Sequence, residues 1–229
     1  MRDRARVLGA LGTVYDPELD EPITALRFIT SCDVSDAGDV AVRLRLPTPQ
    51  CAPNFAFLMA ADARDAVRRV PGVGEISVVL EDHYTGEEIN AAVGRGEGFE
   101  AAFPGETEGQ LDALRTLFHR KALVARQARL CEKLLAGGAS EVQVAGLRAG
   151  DLPADDADTR RCIELRRLLG IDSEAAFVTG DGAPVAAGDL RRWLRMGGLV
   201  RTSLEANGGI CRALLAGRYG IHDPEEVAA

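Results

Sequence analysis

The sequence predicts an α+β fold: a small αββαβ domain with helices packed on a three-stranded sheet, followed by a mainly helical domain. Three patterns predict it. Val40, Val42, Leu44 and Leu46 alternate with Ala41, Arg43 and Arg45, the period of a half-buried strand. Phe55, Met59, Ala63, Ala66 and Val70 then recur near one face at helical spacing. Over residues 107–136, Leu114, Leu117, Phe118, Val124, Ala125, Ala128, Cys131 and Leu135 share a second, longer helical face.

The elements follow in order. Residues 5–14 read as a short helix that ends before Asp16-Pro17-Glu18, because the residue ahead of a proline leaves the helical region. Residues 23–34 read as a strand, and Asp36-Ala37-Gly38-Asp39 as a hairpin tip with its glycine. The alternating strand 40–46 comes next, then a helix over 54–69 stopped by Pro71-Gly72, then a strand over 75–81. The stretch 94–107, with Gly94, Gly96, Gly98 and Pro104-Gly105, reads as a linker that docks through Phe99 and Phe103. The long helix 107–136 ends at Gly137-Gly138. Helices over 158–169, 187–196 and 203–217 complete the chain, the last opening with Thr202 and Glu205 at capping-box spacing. Gly180-Asp181-Gly182 reads as a tight turn. The expected organisation is therefore a first domain over 1–93, a linker over 94–107 and a helical domain over 108–229.

Composition narrows the function. A length of 229 residues suits one large or two small domains. Hydrophobic residues make up 46% and aromatics 5%, so the core is aliphatic and alanine-rich. A net charge of −8 argues against nonspecific nucleic-acid binding and against anionic membranes. The five cysteines (Cys32, Cys51, Cys131, Cys162, Cys211) are scattered and form no CxxC pair, which excludes a disulfide scaffold or zinc finger. Free thiols without a signal peptide give the expectation of a cytoplasmic protein. No stretch reaches the roughly 18 apolar residues of a membrane span.

Cys51 is the most informative residue. It stands in Thr48-Pro49-Gln50-Cys51-Ala52-Pro53-Asn54, between the alternating strand and the helical pattern. A thiol there faces the unpaired N–H groups of a helix N-terminus, a setting that favours thiolate. The flanking prolines restrict the loop. The plainer reading is a small apolar residue closing a core.

Asp16-Pro17-Glu18-Leu19, the 40–46 strand, Thr48-Pro49-Gln50-Cys51-Ala52-Pro53 and Val70-Pro71-Gly72-Val73 occur in order over residues 1–92. In this the chain resembles the iron–sulfur cluster assembly family that includes SufT and the PaaD-type proteins. The resemblance implies a small α+β domain that acts in metalloprotein maturation. It implies that Cys51 is the reactive cysteine and the ligand for a metal or cluster. It also implies that Asp16 and Glu18 form the acidic turn and that Thr48 heads the cysteine loop. The chain departs from the family pattern at Ala52, where a proline is usual. It departs again at Asp82-His83-Tyr84-Thr85-Gly86-Glu87, where Tyr84 stands in place of a tryptophan and His83 in place of a proline. Residues 108–229 are similar to longer members associated with di-iron monooxygenase gene clusters, which points to a di-iron oxygenase as the client.

Other constellations stand beside the resemblance. His83 and Glu87 are four apart, and a helix through them would aim both one way, with Asp82 adjacent. One iron held by Cys51, His83 and a carboxylate is then feasible; the alternative is that His83 caps the strand end. Arg115, His119, Arg126, Arg129 and Lys133 form a basic helical stripe that either docks an acidic partner or is simply solvated. Lys121 falls in the apolar face and must snorkel or meet an acid. Asn207 and Cys211 share a face beside Gly208-Gly209, which lets another backbone come close. Cys131, Cys162 and Cys211 either converge or pack in the core.

The expectation is a factor that handles iron or an iron–sulfur cluster transiently for a client apo-metalloprotein. Cys51 is its ligand, Asp82–Glu87 the second wall, and the helical domain the client reader. A shared cysteine at a homodimer interface would complete the ligand set. The rival is an iron-dependent enzyme that oxidises a small molecule on the same fold.

Overall fold

In the computed structural model, residues 2–105 and 108–221 are described; His222 lies outside them. The chain divides into two compact units, Met1–Ala113 with Asn207–Ala229, and Leu114–Ala206. This division differs from the expected one at both ends of the helical region.

The first unit opens with α1 (Arg2–Leu11), then β1 (Tyr15–Asp16) and β2 (Glu21–Pro22), which pair antiparallel. Its main sheet contains β3 (Ile29–Val34), β4 (Val40–Arg45) and β5 (Ile76–Glu81) in the order β3-β4-β5. β3 and β4 are an antiparallel hairpin, with a register shift between Ile29 and Ser31. β4 and β5 are parallel, from Val40 opposite Ile76 to Arg45 opposite Glu81. The parallel pair requires a crossover, which α2 (Pro53–Arg68) supplies. Val40, Val42 and Leu44 are buried while Ala41 and Arg43 are exposed, as the alternation predicts.

The strand expected over 23–34 is broken. Arg27 takes a left-handed backbone (φ 59°), and β3 begins only at Ile29. Ile23, Leu26 and Phe28 are all fully buried. A continuous strand would send Ile23 and Leu26 to opposite faces. The turn lets all three reach the core, each worth about 1.5–3 kcal/mol of burial.

After β5 come α3 (Gly86–Arg95) and α4 (Phe99–Ala102). The Asn90 side chain bonds both the N–H (2.7 Å) and the C=O (3.0 Å) of Leu80, pinning α3 to β5. The segment expected as a linker is thus largely built into this unit. Phe99 and Ala102 are buried, and the Phe99 ring meets Phe57 edge-on at 5.3 Å.

The second unit holds most of α5 (Glu108–Ala136), then α6 (Glu141–Ala145), α7 (Ala157–Leu168) and the first half of α8 (Leu190–Tyr219). Ser140 and Gln143 close a capping box ahead of α6. Leu123, Leu130, Cys131, Val144, Leu165, Phe177, Val178 and Leu190 form its core. Buried Gln127 bonds both the N–H and the C=O of Val178, satisfying a loop inside that core. Thr179 to Ala183 is the expected tight turn, closed by Thr179 N–H to the Ala183 carbonyl at 2.8 Å.

Two helices were expected where α8 is one. A Cβ on Gly197 would stand 2.7 Å from the Ala128 Cβ, so the glycine lets α8 approach α5 closely. That packing offsets the ~1 kcal/mol a helical glycine costs. Glu205 is no cap; it pairs with Arg129 at 3.2 Å. Lys121 is exposed, its ammonium 4.6 Å above the Phe118 ring, so no buried acid is required.

Candidate functional site

Leu46 is buried at the end of β4, and the chain then turns through Pro47 and Pro49 into α2. The Cys51 N–H donates to the Thr48 carbonyl at 3.3 Å, and the Gln50 N–H to the Thr48 hydroxyl at 3.2 Å. Thr48 Oγ1 lies 3.7 Å from Cys51 Sγ. Ala52 is the N-cap of α2 without a side-chain cap, and Pro53 starts the helix. Cys51 is half-buried just ahead of that N-terminus, as the sequence predicts.

The second wall is the turn after β5. Asp82 is left-handed (φ 48°) and α3 begins only at Gly86. The helix that would have aligned His83 with Glu87 therefore does not include His83. Glu87 is exposed in the first turn of α3. His83 Nε2 lies 2.8 Å from the Cys51 carbonyl, and a carbonyl can only accept, so Nε2 carries the proton. Nδ1 then accepts from the Thr85 N–H (3.3 Å) and hydroxyl (3.1 Å). Both ring nitrogens are engaged, and His83 braces the cysteine loop. The Tyr84 N–H adds a bond to the Pro49 carbonyl at 3.2 Å, while its ring, 59% exposed, stacks on His83.

The acidic turn is the third wall. Asp16 Oδ1 accepts from the backbone N–H of Glu18 (2.8 Å) and Leu19 (2.9 Å). Burial pushes the Asp16 carboxyl up to about 6, the two backbone bonds restraining the rise and the Glu18 and Glu21 charges adding to it. A carboxyl held so far from its ordinary range marks a functional-site candidate.

The fourth wall was missed by sequence reasoning. Residues of α8 from Asn207 onward belong to the first unit. Asn207 Nδ2 donates to Glu18 at 3.3 Å, and Arg212 Nη1 to Glu21 at 2.9 Å. The Tyr219 hydroxyl donates to Asp82, and the Arg45 guanidinium lies 4.4 Å over the Tyr219 ring. Leu215 is buried, and Cys211 is half-buried against the same core as Cys51. Burial, then the charges of Asp16, Cys51 and Glu18, push the Cys211 thiol up to about 12. The signal was the Asn207/Cys211 spacing beside Gly208, where an added Cβ would stand 3.2 Å from Glu21 Oε1.

The basic stripe is drawn inward. Arg126 and Arg129 each reach Asp158 at 3.0 Å, and Lys133 bonds Asp156 (2.8 Å) and Asp158 (3.1 Å). The Asp158 side chain is 7% exposed. Burial would raise its carboxyl, but bonds from Arg126 and Lys133 prevail and hold it below the ordinary range. Arg115 and His119 are half-buried with interactions of their own. Cys131 and Cys162 pack in the second unit's core, apart from Cys211 in the first. Among the described residues, no group of three or more His, Cys, Asp or Glu side chains could hold a metal ion. No described helix is long and apolar enough to cross a membrane.

The strand–thiol–helix junction holds Cys51 at the start of α2 on an α+β scaffold. A family profile described as iron–sulfur cluster assembly protein matches residues 4–78. An uncharacterised protein of Methanocaldococcus jannaschii is 36% identical over 84 residues, 37% of this chain and 86% of that protein. The iron–sulfur cluster carrier protein of Deinococcus radiodurans is 38% identical over 73 residues, 31% of this chain but only 20% of the carrier. Residues 4–78 thus form a segment of the iron–sulfur cluster assembly type. The family match spans Asp16, Glu18, Thr48 and Cys51 and stops before Asp82, so the brace and the α8 wall lie beyond it.

Proposed function

We propose that this protein handles an iron–sulfur cluster as transient cargo and delivers it to a client apo-metalloprotein. One observation carries the reading: Cys51 is half-buried at the N-terminus of α2, in a loop fixed by two prolines, the Thr48 turn and the His83 brace. Such a thiol is placed for thiolate chemistry. The cluster is substrate here, and a soft thiolate is the donor type that iron–sulfur clusters take.

In this reading the second unit reads the client, and the resemblance of 108–229 to longer family members points to a di-iron oxygenase. The stripe contributes less to that surface than its sequence suggests, since Asp156 and Asp158 neutralise Arg126, Arg129 and Lys133. The setting is the reducing cytoplasm, where Cys51 stays a thiol.

The test is transfer. Protein loaded anaerobically with iron and sulfide is mixed with an apo-ferredoxin, and cluster spectra of the separated proteins are followed. The reading expects the cluster to move to the acceptor, and faster than from free iron and sulfide. Transfer no faster than that control contradicts it.

A further inference from the structure

The first half of α8 has two distinct faces. On the inward one, Leu190 is buried, and Trp193 and Leu194 pack on the second unit's core. Gly197 comes close to Ala128, while Arg201 and Glu205 pair with Glu132 and Arg129. These positions recur every three or four residues, as one side of a helix does. The opposite side carries Arg192, Arg195, Met196, Leu199, Ser203 and Ala206, all exposed. Met196 is 57% and Leu199 66% exposed, one turn apart. Arg192 and Arg195 make no hydrogen bond or ion pair among the described residues. They differ in this from Arg126, Arg129 and Lys133 of α5, which Asp156 and Asp158 neutralise.

The steps from Arg192 to Met196, Leu199, Ser203 and Ala206 alternate between four and three residues. That is the spacing of a seam along which one helix packs lengthwise on another. Ser203 and Ala206 are small and leave room for large side chains of the occupant. The unpaired arginines at the other end call for carboxylates. A second copy docked by the same face would bring none, since that face carries no Asp or Glu and Glu205 turns inward to Arg129. We propose that this face docks an amphipathic helix of the client, with apolar side chains three and four apart and Asp or Glu beside them where it meets Arg192 and Arg195. The inference rests on the client reading above and moves the docking face from α5 to α8. Four turns of one helix bury less than the ~1,000 Å² of a stable interface, which suits a client that is released.

The probes are two stapled helical peptides that share one leucine stripe and differ only in flanking charge, glutamate in one and lysine in the other. Binding to the full-length protein is read by fluorescence anisotropy at low and at physiological salt. The glutamate peptide is expected to bind, and to bind more weakly as salt rises. Met196→Ser with Leu199→Ser, and Arg192→Glu with Arg195→Glu, should each weaken it about tenfold. The charge-reversed variant should prefer the lysine peptide. All four side chains are exposed, so melting temperature and anaerobic cluster loading are expected to match wild type. The proposal is overturned by no binding of the glutamate peptide, by equal binding of the two peptides, or by variants that bind like wild type. Wild-type self-association in sedimentation that the Met196/Leu199 variant abolishes would assign the face to a second copy and overturn it too. Peptide binding with failed cluster transfer to ferredoxin overturns the cargo reading alone. Normal transfer with failed peptide binding overturns this inference alone.

Discussion

His83 Nε2 donates a hydrogen bond of 2.8 Å to the carbonyl of Cys51, tying the turn after β5 to the loop that carries the thiol. A residue whose spacing suggested a metal ligand here bonds the backbone of the cysteine loop. The bond is to the main chain, so it helps fix where the sulfur sits. His83→Ala is expected to cost about 1 kcal/mol of stability. It should raise the alkylation rate of Cys51 while leaving part of the cluster loading. Loss of loading as complete as in Cys51→Ser would make His83 a ligand instead.

Asp16 is kept at a cost. Its carboxyl titrates at about 6 in the folded chain against 3.8 ordinarily, so the folded state binds the proton more tightly. Stability is highest below the ordinary value and falls as pH rises through about 4 to 6. Asp16→Asn keeps an acceptor for the Glu18 and Leu19 N–H groups and removes the charge. It is expected to be more stable than wild type at pH 7 by about 1–3 kcal/mol, the gain vanishing below about pH 4. Denaturant melts at the two pH values check this; a gain that does not change with pH contradicts it.

Asp158 has the opposite sign. Arg126, Arg129 and Lys133 hold its carboxyl below the ordinary range, so its stabilisation is full above that range and is lost as pH falls through it. Asp158→Ala removes the shared partner of Arg126, Arg129 and Lys133, of which Arg129 keeps Glu205 and Lys133 keeps Asp156, and is expected to cost about 1–3 kcal/mol. Reversing Arg126 and Arg129 to Glu should likewise destabilise the second unit, which circular-dichroism melts would report. A reversal that left the melt untouched would return the stripe to the role of a free docking face.

Gly197 permits the α5–α8 approach. Gly197→Val is expected to cost about 1–3 kcal/mol by overpacking against Ala128, with partial recovery on adding Ala128→Gly. Additive losses in the double variant would show that the two positions do not meet.

Much of the first unit was legible because its signals are local. The Val40–Leu46 alternation, the Asp36–Asp39 tip and the prolines around Cys51 each specify their own backbone. The break at Arg27 was not legible, because it follows from three side chains competing for one core rather than from any turn motif. That α8 runs unbroken through Gly197 was not legible, since the offsetting contact with Ala128 lies far away in sequence. The stripe looked free because Asp156 and Asp158 stand beyond a loop in another helix. The α8 wall was half legible: the Asn207/Cys211 spacing was visible, but not that residues 207 onward fold with the first unit.

The central claim is that Cys51 meets the cluster. Its most direct test is the iron and acid-labile sulfide bound after anaerobic loading of wild type and Cys51→Ser, both checked for equal melting temperature. The account predicts a labile cluster on the wild type and none on Cys51→Ser. Equal iron and sulfide on the two proteins would contradict it.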